Sequence, residues 1–460
     1  MEAIKNFFQS SIVFWMAWII IPLIMEIIPA IVDAVILLKK RIVRKKQKPL
    51  EYFPEITLII PVYNSAESLH RCIESVYNSD YPHQQIYVLL VNNQSTDNSF
   101  QVFAQCQQEY PELTMNWVDS KQGKSKALNV GLFNSYGKYI IHIDSDGVLE
   151  PQALKNMITR FEQNLDVDCM TGTVLTNPEM IDETKGFFKR QLRKMEFFEY
   201  CQAFLAGRNF QSEFNSIYTL SGAFSAFRKS AILKTQLYNT DTVCEDTHVT
   251  FQIRDRMNEK IIVCDDAIFF VDPMESMNQL YTQRQRWQKG EMEVSHMFLQ
   301  KQMKPVKGFF SNFVIRLLMY DHTFAFPRMI WYFALICLAF MNYPFKLILE
   351  SLLLIYILYV ASALLFYVDI SAFLSGFKDI QKYYMWKWYH IFTLPLFNFI
   401  VFWFRFAGII NGIRGEQTWK AKNFKEEWQS VCAVVRHDFG GWLISGIKKL
   451  KGIVNNGEEQ

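Results

Sequence analysis

Two carboxylates two residues apart, Asp144 and Asp146, directly follow the apolar run Tyr139–Ile143 (YIIHI) and precede Gly147. Acids at i and i+2 behind a buried strand can share a divalent cation with a diphosphate. Mg²⁺ or Mn²⁺ takes hard oxygen ligands and keeps positions open for phosphate, and Gly147 lets the backbone turn and approach a ligand. Alone, Asp-x-Asp-Gly is more often a simple turn; the strand before it gives it weight. A second segment, residues 123–129 (GKSKALN), puts Lys124 at a helix start, where backbone N–H groups and a point charge suit phosphate. It lacks P-loop spacing, and by itself it reads as a solvated helix N-terminus. A third, residues 242–246 (TVCED), holds adjacent acids Glu245 and Asp246. One of them can act as a general base if it faces the cleft, and Asp246 can also cap a helix over 247–253. The fourth is Gln283, Arg286 and Trp287 within QRQRW. Arg286 suits a diphosphate and Trp287 offers a flat face to a sugar ring, although Arg and Trp are also common on amphipathic helices at membranes.

The elements that must position these groups alternate strand with helix. Residues 56–62 (ITLIIPV), 85–91 (QIYVLLV) and 139–143 read as buried strands, and residues 66–77 as a helix. Near-continuous apolar strands separated by helices imply an α/β fold with a mostly parallel sheet covered on both faces. In such sheets ligands bind beyond the carboxyl ends of the strands. Asn64, the turn at 92–97 (NNQSTD) and Asp144 all fall at such ends, so they are expected to converge.

Both flanks of this middle region are membranous. Residues 12–38 carry only Glu26 and Asp33 as charges, enough length for a span. Lys39, Lys40, Arg41, Arg44, Lys45, Lys46 and Lys48 follow that run, the reverse of a cleaved leader. The positive-inside rule then places the domain that follows in the cytoplasm. Residues 309–326 read as an interfacial amphipathic helix, and 327–341, 345–368 and 391–410 as three spans. This divides the chain into an anchor (1–48), a soluble domain (51–302), a helical membrane part (303–413) and a basic tail (414–460). Three spans put the tail outside, whereas its basic charge favours inside. Eight scattered cysteines with no CxxC pair suit a reducing compartment, and a net charge of +3 argues against a nucleic-acid partner.

These four motifs, in this order, resemble the membrane-bound, processive branch of family-2 inverting glycosyltransferases, which includes cellulose, hyaluronan and poly-N-acetylglucosamine synthases. The resemblance covers about residues 56–298 plus the flanking spans, and implies a GT-A (Rossmann-like) domain between transmembrane helices. It implies that Pro61, Tyr63 and Asn64 of PVYN line the nucleotide pocket and that Lys124 lies near the diphosphate. Asp144 and Asp146 would bind the metal (Mg²⁺ or Mn²⁺) and the donor, Asp246 would be the catalytic base, and Glu245 beside it would contact the acceptor. Gln283, Arg286 and Trp287 would contact the diphosphate and the acceptor end, with Gly222 of LSGAFSAFRK on the acceptor side. Residues 414–419 (RGEQTW) are loosely similar to a Thr-Trp motif at the cytoplasmic mouth of these synthases.

Two departures stand out. Where the family has Asp-Asp-Gly-Ser-x-Asp, this chain has Asn92-Asn93-Gln94-Ser95-Thr96-Asp97. An Asn93 carbonyl can still accept a hydrogen bond from uracil. Cys244 stands where the family has Thr. The implied reaction is one in-line displacement from a UDP-sugar to a glycan or lipid-linked acceptor, with inversion to a β-linkage. Lengthening of an exopolysaccharide is the leading expectation, with or without an accessory subunit. The alternatives are transfer of a single sugar to a lipid carrier and a degenerate scaffold for polysaccharide export. A transporter fits less well, because the charges lie in the middle region rather than within paired spans.

Overall fold

A computed structural model describes residues 27–43, 48–299, 325–340 and 344–413, with isolated positions elsewhere. Residues 309–324 of the expected interfacial helix and the 414–419 motif lie outside the described residues, as do residues 12–18, 21, 22 and 24–26 of the first apolar run.

Eight strands form one sheet in the order β3-β2-β1-β4-β7-β6-β8-β5. They are β1 (Ile56–Val62), β2 (Ile86–Asn92), β3 (Thr114–Asp119), β4 (Tyr139–Ile143), β5 (Gly147–Leu149), β6 (Val167–Thr176), β7 (Phe224–Arg228) and β8 (Lys260–Val271). β1 pairs in parallel with both β2 and β4, β2 with β3, and β6 with β8. β7 runs antiparallel between β4 and β6, and β5 runs antiparallel on β8. The mostly parallel sheet expected from the strand pattern is therefore present, with two reversed strands that the pattern did not reveal.

Strand alternation sorts the core onto two faces. On one, Leu58, Ile60, Tyr139 and Ile141 pack against Leu69 and Ile73 of α2 (Leu69–Tyr77), Phe103 of α3 (Ser99–Glu109) and Met157 of α5 (Ala153–Gln163). On the other, Ile59, Leu89 and Ile140 meet Ala127 and Leu128 of α4 (Lys124–Phe133) and Val249 of α7 (Glu245–Phe251). The remaining helices used below are α1 (Ile28–Val43), α6 (Phe187–Tyr200), α8 (Met277–Leu299), α9 (Ala325–Phe340), α10 (Phe345–Phe373) and α11 (His390–Ile413). α2 begins at Leu69 rather than the expected 66; residues 66–68 form a turn in which the Ala66 N–H donates to the Asp97 carboxylate at 2.9 Å.

Two described helical stretches, Phe345–Gly376 and His390–Asn411, are long and apolar enough to cross a membrane. Within the expected span at 327–341, the described residues form α9, Ala325–Phe340. α1 runs through Lys39, Lys40 and Arg41 to Val43, so the basic cluster begins on the helix itself. Ile370, Phe373, Leu394, Phe397 and Val401 of α10 and α11 belong to the same buried cluster as the sheet's first face.

Candidate active site

After β3 the chain returns across β1 to form β4, so neighbouring strands β1 and β4 connect outward in opposite directions. That reversal opens a crevice at their carboxyl ends. Asn64 follows β1 in a left-handed conformation (φ 49°), one that Asn tolerates better than most residues. Its side-chain Oδ1 accepts from the Thr96 N–H at 2.8 Å, and Ser95 Oγ accepts from the Asn64 N–H at 3.1 Å. The loops after β1 and β2 are thereby tied into one rim. Tyr63 is exposed on it, and Pro61 sits inside β1 opposite Val91. Both Asn carbonyls after β2 are engaged: Asn93 Oδ1 accepts from the Gly123 N–H at 2.6 Å, and Asn92 Oδ1 from the Ser95 N–H at 2.8 Å. Each retains a second lone pair. The Asn92 amide donates to Asp119 Oδ1 at 2.8 Å, which brings an acid from the end of β3 to this rim. The sequence reading did not single out Asp119.

Gly123 introduces α4 at φ 130°, a conformation that favours glycine. The next residue, Lys124, is the hub of the site. Its Nζ lies 2.5 Å from Asp144 Oδ1, 3.3 Å from the Gly222 carbonyl and 4.0 Å from Glu245 Oε1. Burial disfavours its charge, but Asp144 and then Glu245 outweigh that and hold the ammonium above its usual range. Asp146 is open on its cleft side and crowded by protein elsewhere. That partial loss of solvent, with Asp144 beside it, pushes its carboxyl up to about 6. Two mutually repelling carboxylates at the cleft mouth suit a divalent cation. Among the described residues no group of three or more His, Cys, Asp or Glu forms a closed metal cage.

Glu245 and Asp246 open α7. The N-cap is Cys244, not Asp246 as the sequence suggested, and the helix runs Glu245–Phe251 before widening into a π turn at Gln252–Arg256. Asp246 sits inside the first turn, where Oδ1 accepts from the Thr247 N–H at 2.7 Å. A side chain on Gly222 would place Cβ 3.0 Å from Asp246 Oδ2, so glycine lets the backbone close over this carboxylate. The Glu245 carboxyl is pushed up to about 7, chiefly by burial; Lys124 pulls it down and Asp246 adds to the rise.

Gln283, Arg286 and Trp287 lie on α8, with Arg286 exposed and Trp287 half-buried. One face of the Trp287 ring is covered by the Arg284 guanidinium, 4.3 Å from its centroid, and Phe204 meets it edge-on at 6.0 Å. Arg284 is fully buried and ion-paired with Glu199 of α6. α8 also packs tightly against the turn that leads into Asp246, since a Cβ on Gly290 would fall 1.9 Å from Cys244 Sγ. The structure thus gathers Lys124, Asp144, Gly222, Glu245 and Asp246, with Asp146 at the mouth, while Asn64 and Asn93 form the adjoining rim.

The family model for glycosyl transferase family 2 matches residues 57–235. Those residues form a family-2 glycosyltransferase domain. Asp246, Gln283, Arg286 and Trp287 lie beyond that stretch. The chain is 26% identical over 239 residues to a poly-β-1,6-N-acetyl-D-glucosamine synthase of Staphylococcus epidermidis, a match covering 52% of this chain and 55% of that protein. A Staphylococcus aureus synthase of the same name is 25% identical over 243 residues, again with 55% of it covered. The chain therefore spans about half the length of these relatives. Among solved structures, the mannosyltransferase PcManGT of Pyrobaculum calidifontis, in complex with GDP-Man and Mn²⁺, superposes with a TM-score of 0.56 at 16% identity. That match covers 85% of this chain and 97% of the other. The likeness shows a shared GT-A-like α/β fold.

Proposed function

We propose that this protein is a membrane-bound inverting glycosyltransferase that adds a sugar, N-acetylglucosamine foremost, from a UDP-sugar to a growing β-linked exopolysaccharide. The observation that carries this reading is the convergence of Lys124, Asp144, Glu245 and Asp246 at the carboxyl end of β4. The similarity to poly-β-1,6-N-acetyl-D-glucosamine synthases supports the choice of sugar and of a polymeric product. Processive elongation and a multi-pass arrangement are parts of the same proposal, supported by the two apolar helices and the expected N-terminal span.

In this reading Asp144 and Asp146 hold Mg²⁺ or Mn²⁺, which supplies Lewis-acid neutralisation of the diphosphate. Lys124 lies within reach of that site and stabilises negative charge on the leaving group. Asn64 and Asn93 shape the nucleoside rim beside Tyr63. Asp246 accepts the proton of the acceptor hydroxyl, and Trp287 is the platform for the acceptor sugar. A single displacement inverts the anomeric centre. Arg286 and Gln283 are assigned to the diphosphate side by the resemblance of QRQRW to the family motif.

The test is UDP release by the detergent-purified protein, offered a panel of UDP-sugars with Mg²⁺ or Mn²⁺. UDP-N-acetylglucosamine should give release that Asp246→Asn abolishes while UDP binding persists. Turnover with an uncharged Asp246→Asn background, or loss of UDP binding in that variant, would remove Asp246 as the base.

A further inference from the structure

We propose that His142 is a positioning residue for the Glu245–Asp246 pair, acting through one water molecule held in a recess between them. The proposal rests on the reading of Asp246 as base and extends it to a residue outside every motif above.

His142 stands on β4 two residues before Asp144, and its side chain points to the sheet face covered by α4 and α7. It is 2% exposed. Its Nδ1 lies 2.7 Å from Tyr238 Oη, and its Nε2 has no hydrogen-bond partner. Buried polar groups are nearly always paired, so an orphaned ring nitrogen calls for an explanation. The recess beside it is lined on its polar side by His142, Tyr238, Ser225, Gly222, Glu245 and Asp246. It has room for roughly one water molecule, and it offers the two to four polar partners that such a water needs.

The surroundings hold Tyr238 firmly. Asn129 of the GKSKALN segment clamps its backbone from both sides: Asn129 Oδ1 accepts from the Tyr238 N–H at 2.9 Å, and Asn129 Nδ2 donates to the Tyr238 carbonyl at 2.9 Å. Leu237 is forced to φ 59°, a left-handed conformation rarely tolerated outside glycine and asparagine. Gln252 fixes it there by donating to the Leu237 carbonyl at 2.9 Å. When Tyr238 Oη donates to Nδ1, the neutral imidazole carries its proton on Nε2. That N–H donates to the water, and the water donates in turn to the carboxylates of α7. The chain Tyr238, His142, water and carboxylate then has each donor matched to an acceptor, and it fixes the direction in which the base presents its free lone pairs. The charged groups that also face this pair are Lys124 from α4, Asp144 beyond β4, and Arg208, a buried cation electrostatically coupled to Asp246.

The experiment compares His142→Phe, His142→Gln and Tyr238→Phe in the full-length detergent-purified protein, with Asp246→Asn alongside. His142→Phe keeps ring shape and burial but removes the donor. It should lower kcat about 10- to 100-fold with donor KM and UDP affinity unchanged, as misorientation of a catalytic group does. His142→Gln returns an N–H near the Nε2 position and should recover most of the loss. Should His142→Phe not fold, Tyr238→Phe, which deletes only the hydroxyl, should show the same kcat-selective decline. Wild-type kcat in the folded Phe variants overturns the proposal. So does a loss shared equally by kcat, KM and melting temperature without rescue by Gln. Activity surviving in Asp246→Asn removes the base assignment itself, whereas an inert Asp246→Asn beside an unaffected His142→Phe removes only the role of His142.

Discussion

Substituting Gly290 by alanine tests whether α8 sets the position of Asp246, the proposed base. The added Cβ would fall 1.9 Å from Cys244 Sγ and 2.8 Å from Cys244 Cβ. Rotating the thiol relieves the first clash. It leaves the second, because Cβ is fixed by the backbone. Ordinary carbon contacts are roughly 3.5–4.0 Å, so α8 and the turn at Cys244 must part by the better part of an ångström. Overpacking of this kind costs about 1–3 kcal/mol. Cys244 caps α7, and Asp246 lies two residues on. Displacement of the base on that scale should lower kcat up to about 100-fold. Cys244→Gly deletes both obstructing atoms at a cap position where glycine is accepted. The double variant should therefore regain much of what Gly290→Ala loses, with a coupling of about 0.5–3 kcal/mol. UDP release and thermal unfolding, measured on all four proteins, complete the cycle. Strictly additive losses, or a Gly290→Ala protein with wild-type kcat and melting point, would refute the claim that this contact locates the base.

Arg284→Met should destabilise the protein by about 3–5 kcal/mol in denaturant melts, because it strands the buried Glu199 carboxylate; adding Glu199→Leu should recover most of the loss. His248 is buried, and that burial, with Arg256 nearby, lowers it to about 4 from 6.5. The unfolded chain takes up this proton below pH 6.5 while the folded one does not, so stability must fall as pH drops. The loss from this residue is about 2 kcal/mol at pH 5, and unfolding midpoints at pH 7 and 5 for wild type and His248→Gln should differ accordingly. Asp144→Asn should weaken Mn²⁺-dependent UDP binding by about tenfold or more in calorimetry and let Asp146 titrate lower, since the neighbouring charge is gone.

Much of the scaffold was legible in the sequence, and the exceptions share a cause. β1 and β4 fall at the expected residues because they are continuous apolar runs buried on both faces. β2 is offset by one, with Gln85 ending a short 3₁₀ turn. β7 was read only as part of an acceptor-side segment, because its antiparallel insertion depends on partners 85 or so residues upstream rather than on its own pattern. The motif residues Lys124, Asp144, Glu245 and Asp246 converge as expected, since each lies at the end of a recognisable strand or the start of a helix. Asp246 looked like a cap because its type suits one, but tertiary contact with α8 moves the helix start to Glu245. His142, Tyr238 and Arg208 carry no signal: a histidine inside YIIHI or an arginine within a helix becomes notable only once its surroundings are known.

One feature of the packing bears on how this enzyme can be handled. A side chain on Gly408 of α11 would bring Cβ to 3.0 Å from the Gln285 backbone, so α8 has the base-bearing turn on one side and an apolar helix pressed against its backbone on the other. The sheet's own core runs on into Ile370, Leu394, Phe397 and Val401. A chain cut after α8 would bare that seam instead of yielding a free-standing catalytic unit. In the membrane-bound reading proposed above, the detergent or lipid around α10 and α11 bears on turnover as much as on solubility.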